Sequence, residues 1–269
     1  MSRHGGSPSS VRTVLLRLLP VAFLACLVAR PVDRPLEAQE SPARSVVQLW
    51  IMKHEMGGSR PGYRSQAAGT AFLVGAEGRA VTNSHVVDLA RASPRTFQII
   101  VTAGNEFFSA RIVCASALPA RVGDKSVMGR DVAMIQLVPP EMPTEGPLSY
   151  GGIEKWRPHR GPMPRFAGLR FGAAPAVGDP VRVLGFGFRS GTILPYEWSA
   201  TGTVGVVGHA PDGTAIFAIH FDHEAEPGHS GSPVLNPQGE VVGMFTWLRP
   251  GDPTTGVAIS GAELDPACP

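Results

Sequence analysis

The sequence predicts an all-β protein of two antiparallel six-stranded β-barrels. Three observations lead there. Glycine (32) and proline (26) are abundant among 269 residues, and both interrupt helices and mark turns. Short apolar or alternating runs recur from Val46 onward between turn signals, with no long amphipathic pattern. These runs fall into two sets separated by a Pro/Gly-rich stretch, as two closed sheets in one chain would require. Hydrophobic content of 43% against 17% charged residues excludes a disordered chain. A formal charge of +2 gives no basic surface for nucleic acid.

Residues 1–38 read as a secretory signal peptide. Arg3 and Arg12 make a positive start, and an apolar stretch through Leu18–Ala29 follows, broken by Pro20. It is shorter than the ~20 residues a bilayer-spanning helix needs. Cleavage fits after Ala29 or after Ala38, where the chain turns polar. Two alternatives are an uncleaved anchor and lipidation at Cys26, although apolar residues continue beyond that cysteine. Five arginines and two acids lie in this leader, so the rest of the chain carries −1. Export to a bacterial periplasm or the exterior is the expectation, with no stable membrane insertion once the leader is removed. The remaining cysteines, Cys114 and Cys268, then form one bridge or stay as two thiols.

The first barrel is expected over 45–138. Its strands are Val46–Ile51, Gly69–Val74, Arg79–Thr82, Phe97–Val101, Phe107–Val113 and Val132–Leu137. Gly75–Gly78 forms a hairpin loop between the second and third, and Val86–Ala90 a short helical turn. Val138-Pro139-Pro140 opens a connection over 139–176 that no central strand accommodates; a gate over the site is one role for it. The second barrel spans 177–262, with strands Pro180–Gly185, Glu197–Val207, Ala215–Asp222, Pro233–Leu235, Val241–Trp247 and Gly256–Ser260. Residues 263–269 form a tail.

Three segments carry chemistry. Thr82-Asn83-Ser84-His85 follows a strand, Asp131 leads into one, and Gly228-His229-Ser230-Gly231-Ser232 places a serine between glycines that permit a tight turn. Nucleophilic acyl transfer needs such a hydroxyl, an imidazole to take its proton, and a carboxylate to hold that imidazole in one tautomer. Backbone N–H groups at the turn, those of Gly228 and Ser230, suit the developing oxyanion. Separations of 46 and 99 residues let one barrel contribute the first two groups and the next barrel the third.

With these motifs the chain resembles the chymotrypsin-like (trypsin-fold) serine peptidases, nearest to the bacterial Deg/HtrA branch. The resemblance runs from Gly69-Thr70-Ala71-Phe72 and Val81–Val87, through Asp131-Val132-Ala133-Met134 and Val177-Gly178-Asp179, to Ile219–Pro233 and Gly256–Ile259. It implies His85 as general base, Asp131 as its orienter, Ser230 as nucleophile, and Gly228 with Ser230 as oxyanion hole. It implies an exported serine endopeptidase acting on polypeptides without a cofactor. The alternatives are a catalytically silent relative that binds peptides or a partner protein, and an esterase. Few residues follow Ser260, which leaves no room for the PDZ module common in that branch. Ser232 stands where the branch often has glycine, a variant that glutamyl endopeptidases resemble. His229 stands where Asp or Asn is common and is expected as an exposed rim residue, with a direct role in the oxyanion turn as the alternative.

The substrate pocket is assigned to walls at Glu224–Pro227 and Phe245–Leu248, with Glu224, Thr246, Trp247 and Leu248 as its residues. By the same resemblance, Glu224 takes the position of the base-selecting acid of trypsin-like enzymes, unless it points to solvent. Leu248 narrows the pocket mouth toward small aliphatic side chains. No metal site is expected: His220 and His223, three apart on a strand end, point to opposite faces. Gly185-Phe186-Gly187 lacks the following helix of a dinucleotide loop and reads as a strand-end turn. Nothing in the sequence addresses the oligomeric state.

Overall fold

The computed structural model describes residues 41–57, 60–118, 121–122, 125–126, 128–141, 156–188, 195–225 and 228–264. The leader, Cys268 and most of the tail lie outside these residues. In chain order the strands are β1 (Val46–Gly57), β2 (Arg60–Val74), β3 (Arg79–Thr82), β4 (Phe97–Ala103), β5 (Glu106–Ala115), β6 (Arg121–Val122), β7 (Lys125–Ser126), β8 (Ala133–Val138) and β9 (Arg157–Pro158). They continue with β10 (Pro180–Phe188), β11 (Pro195–His209), β12 (Ala215–Phe221), β13 (Pro233–Leu235), β14 (Val241–Arg249) and β15 (Asp252–Ser260). The single α-helix among the described residues is α1 (Ser84–Ala92).

Six strands close the first sheet in the order β4-β1-β2-β3-β8-β5, because β5 pairs back onto β4. The second ring is β10-β11-β12-β15-β14-β13. All twelve expected strands are present, and the helical turn extends to nine residues. β1 and β2 are longer than expected: their ladder continues to Gly57↔Arg60, past a register shift between Ile51 and Met52.

Alternation explains the cores. Along β1, Val47, Leu49 and Ile51 enter the first barrel with Leu73, Val101, Phe108, Ile135 and the α1 residues Val86 and Val87. This is the period-2 face of a strand meeting the apolar stripe of a short helix. The opposite face of that barrel is also buried. Val46, Phe72, Val81 and Met134 pack against Leu184, Leu235, Met244 and Ile259 of the second barrel. A third cluster, with Val183, Trp198, Phe217, Phe221 and Phe245, fills the second barrel. The two barrels therefore share an apolar seam, and at ~25 cal/mol per Å² of apolar area its burial opposes their separation.

The connection between barrels is a strap over 156–176. Trp156 rests edge-on against Trp50 with ring centroids 6.1 Å apart. His159 stacks on Phe108 and bonds the Glu106 carboxylate at 2.9 Å. The Leu169 N–H donates to Leu73 O (2.8 Å), and that of Gly172 to Val241 O (2.9 Å) in the second barrel. Among the described residues, none of the strap's hydrogen bonds reaches His85, Asp131 or Ser230. Residues 142–155 of the expected 139–176 connection lie outside the description. Cys114 on β5 is disulfide-bonded, which excludes the free-thiol alternative for that residue.

Candidate active site

α1 begins directly after β3, so His85 sits in its first turn where the first barrel meets the second. Asn83 occupies the N-cap position but makes no side-chain cap. Its amide instead donates to Asp131 O (2.8 Å) and to Thr246 Oγ1 (3.0 Å) in β14. The chain forgoes a helix cap, which elsewhere contributes about 1 kcal/mol, and gains a bridge between the barrels at the site.

Asp131 is 1% exposed and both its oxygens are used. Oδ1 accepts the His85 backbone N–H at 2.9 Å, and Oδ2 lies 2.6 Å from His85 Nδ1. One residue thus offers two donors to one carboxylate, which fixes the ring's rotation and leaves the opposite nitrogen, Nε2, at the open edge. The His85 side chain is 40% exposed. Arg130, just before Asp131, is tied to the second barrel. Its N–H donates to Asp212 Oδ2 (2.7 Å) and its guanidinium to Glu263 (3.2 Å). Burial alone would raise the Asp212 carboxyl, but N–H donors from Arg130 and Thr214 outweigh it and hold it below the ordinary range.

Ser230 stands on the turn between β12 and β13. Gly231 has φ +88°, and a Cβ there would lie 2.0 Å from Thr70 O. Both the conformation and the space therefore demand glycine. The turn is closed by Ser232 N–H to His229 O (3.0 Å), and Gly231 N–H reaches Phe245 O (3.0 Å). Thr70 of β2 pins it from the other barrel: its N–H donates to Ser230 O (2.9 Å) and its hydroxyl to Gly228 O (3.1 Å). That hydroxyl also accepts the Phe186 N–H at 3.0 Å, and Thr70 O accepts Thr82 Oγ1 at 2.7 Å. Among the described residues, no hydrogen bond joins Ser230 Oγ to His85, and none engages the N–H groups of Gly228 or Ser230.

Residues 69–244 match the family described as trypsin-like peptidase domain. The chain belongs to that family. Over 199 residues this trypsin-like peptidase chain is 27% identical to a protein of Synechocystis sp. named as serine protease HhoB, covering 74% of this chain. It spans 39% of that relative's length. In three dimensions it is similar to Rv3671c protease of M. tuberculosis, inactive form, with a TM-score of 0.51 and 23% identity over 83% of this chain and 86% of that one. It is also similar to Deg5, with a TM-score of 0.53 and 19% identity over 82% and 85%. At these identities the two structures speak for the fold, which is the expected pair of six-stranded barrels.

Other expected positions divide. Thr246 is buried with its hydroxyl bonded to Asn83, while Trp247 and Leu248 are half-buried. Glu224 is exposed, the solvent-facing alternative for that residue, and Glu226 and Pro227 lie outside the described residues. The barrel interior beside Gly256 is filled by aromatic rings: a Cβ there would lie 2.3 Å from Phe245 and 2.7 Å from Phe221.

Two expectations are corrected. His229 is not a rim residue: it is 0% exposed and its ring stacks on Trp198 with centroids 3.8 Å apart. Burial, and then the nearby His223, lower its pKa to about 3. Gly185-Phe186-Gly187 is not a strand-end turn but lies within β10, where the two glycines make room for Ser232 and His229 of the Ser230 turn. Thr70 and Asn83 were missed as site residues because their roles depend on partners 158 and 163 positions away.

Proposed function

We propose that the chain is an exported serine endopeptidase working through His85, Asp131 and Ser230. The observation that carries this reading is the buried Asp131 carboxylate gripping both the ring and the backbone of a half-exposed histidine. Ser230 stands on a glycine-bounded turn held to the same barrel by Thr70. Ser230 Oγ attacks the scissile carbonyl carbon while His85 Nε2 takes its proton. Asp131 keeps Nδ1 protonated and stabilises the imidazolium that results. The N–H groups of Gly228 and Ser230 receive the oxyanion. His85 then protonates the leaving amine, leaving Ser230 acylated, and a water deprotonated by His85 releases the acid.

Glu224, being exposed, is not the buried carboxylate that would select a basic side chain, and the half-buried Trp247 and Leu248 beside Thr246 favour an apolar one at the cleavage site. Export follows from the leader's composition. The deciding experiment is a peptide-library cleavage profile of the chain from Gln39, with a fluorophosphonate probe in parallel. Cleavage after apolar residues, and labelling abolished by Ser230→Ala and His85→Ala, is the expected result. Peptide binding without cleavage or labelling would identify the silent binder instead, and turnover of esters alone an esterase.

A further inference from the structure

The residue before the nucleophile has a slot built for it. On one side of the His229 ring lies Trp198, 3.8 Å between centroids and 19° between planes. Trp198 is itself buttressed edge-on by Phe221 at 5.8 Å. At the Nε2 edge of the ring lies Gly187, where a Cβ would stand 2.6 Å from His229 Nε2 and 2.8 Å from the Tyr196 hydroxyl. The ladder sets this up: β10 pairs Gly185 with Trp198 and Gly187 with Tyr196. A large aromatic side chain thus faces a missing one at each of two successive same-face positions, and the nucleophile turn occupies the vacated space. A Cβ on Gly185 would likewise fall 2.0 Å from Ser232 Oγ, three residues along the same turn. Among the described residues, the titratable groups placed around the ring include Tyr196 of β11 and His223, which contacts Trp198 at 5.7 Å and pairs with Asp222 at 2.6 Å.

His229 has only two side-chain torsions, so a clamped ring leaves its backbone little freedom. The peptide units on either side of it join Gly228 to Ser230. We propose that His229 is a positioning residue, whose ring, stacked on Trp198 with its Nε2 edge at Gly187, holds the N–H groups of Gly228 and Ser230 in place for the oxyanion. Ring packing thereby adds to the Thr70 hydrogen bonds that hold this turn. This rests on the serine-peptidase reading and extends it to a residue that reading leaves idle.

The test is steady-state kinetics of the chain from Gln39 on a peptide and an ester substrate, with His229→Ala, His229→Phe and Gly187→Ala. His229→Ala is expected to lower kcat about 10²-fold, the order found for losing one oxyanion donor, with KM within about threefold. His229→Phe, which refills the slot with a planar ring, is expected to recover kcat to within about tenfold of the parent. Gly187→Ala, on a different strand, should lower kcat in the same sense by displacing the ring. Parent-like kcat in His229→Ala overturns the proposal, as does a Phe variant no better than Ala. If the Ala variant does not fold, the Phe and Gly187→Ala pair decides: unchanged kcat in Gly187→Ala is then the overturning result. A parent chain without Ser230-dependent turnover would remove the peptidase reading and this proposal with it. An active parent with indifferent variants removes the proposal alone.

Discussion

The two barrels hold their share of the site by different means. The first fixes its groups with hydrogen bonds: Asp131 has both oxygens engaged, and Asn83 is bonded to the backbone beside it. The second adds shape to its backbone hydrogen bonds around Ser230, with a glycine turn and an imidazole stacked on an indole. Hydrogen bonds are directional and fail abruptly when a partner is removed. Packing degrades in proportion to the atoms lost. Substitutions on the two sides should therefore fail differently.

The largest effect expected is loss of the proposed nucleophile. Ser230→Ala should cut kcat by about 10⁶-fold while leaving the fold intact, as near-UV circular dichroism would report. Asp131→Asn should cost about 10⁴-fold in kcat, since an amide offers the His85 ring the wrong tautomer; a drop under tenfold would deny the first barrel its directional role. Gly231→Ala should destabilise the chain by about 3 kcal/mol in urea unfolding, combining positive-φ strain with the collision against Thr70 O.

The fourth and fifth predictions set two histidines against each other. His229 is held neutral in the fold, with a pKa of about 3 against 6.5. The unfolded chain therefore takes up a proton that the folded one refuses, and stability falls as pH drops from about 6.5 toward 3. The slope approaches about 1.4 kcal/mol per pH unit at most. His229→Phe should flatten that slope, and an unchanged profile would contradict the buried neutral ring. His159 runs the other way: the Glu106 carboxylate raises its pKa, so its stabilisation is complete below about 6.5 and fades as pH rises through the raised value. Glu106→Gln should remove this smaller dependence, worth less than about 1 kcal/mol, from unfolding curves at pH 6 and 8.

Much of this was legible in the sequence. Period-2 apolar runs mark the twelve barrel strands because their inward faces must be buried whatever their neighbours are. Gly228-His229-Ser230-Gly231 exposes a serine by local turn chemistry alone. The outer halves of β1 and β2 were not legible: Lys53-His54-Glu55 and Arg60-Pro61-Gly62 lack an apolar alternation, and their strand state comes from pairing with each other. His229 was misread because a polar residue in a turn is exposed by default. Its burial is decided by Trp198, 31 positions earlier and opposite a glycine. The Gly-x-Gly spacing of 185 and 187 in the apolar end of this strand was the available signal, since an interior glycine marks a close approach of something else.

The Thr70 contacts have a consequence for how the molecule could be taken apart. Three backbone groups of the second half, at Phe186, Gly228 and Ser230, are satisfied by this one residue of the first. Separate pieces ending before and beginning after the strap would each carry an unfinished site, with polar groups and an apolar wall awaiting the other. Activity would then report that the halves had met, as in a split reporter, and replacing Thr70 with valine would weaken that reconstitution before it affected either half alone.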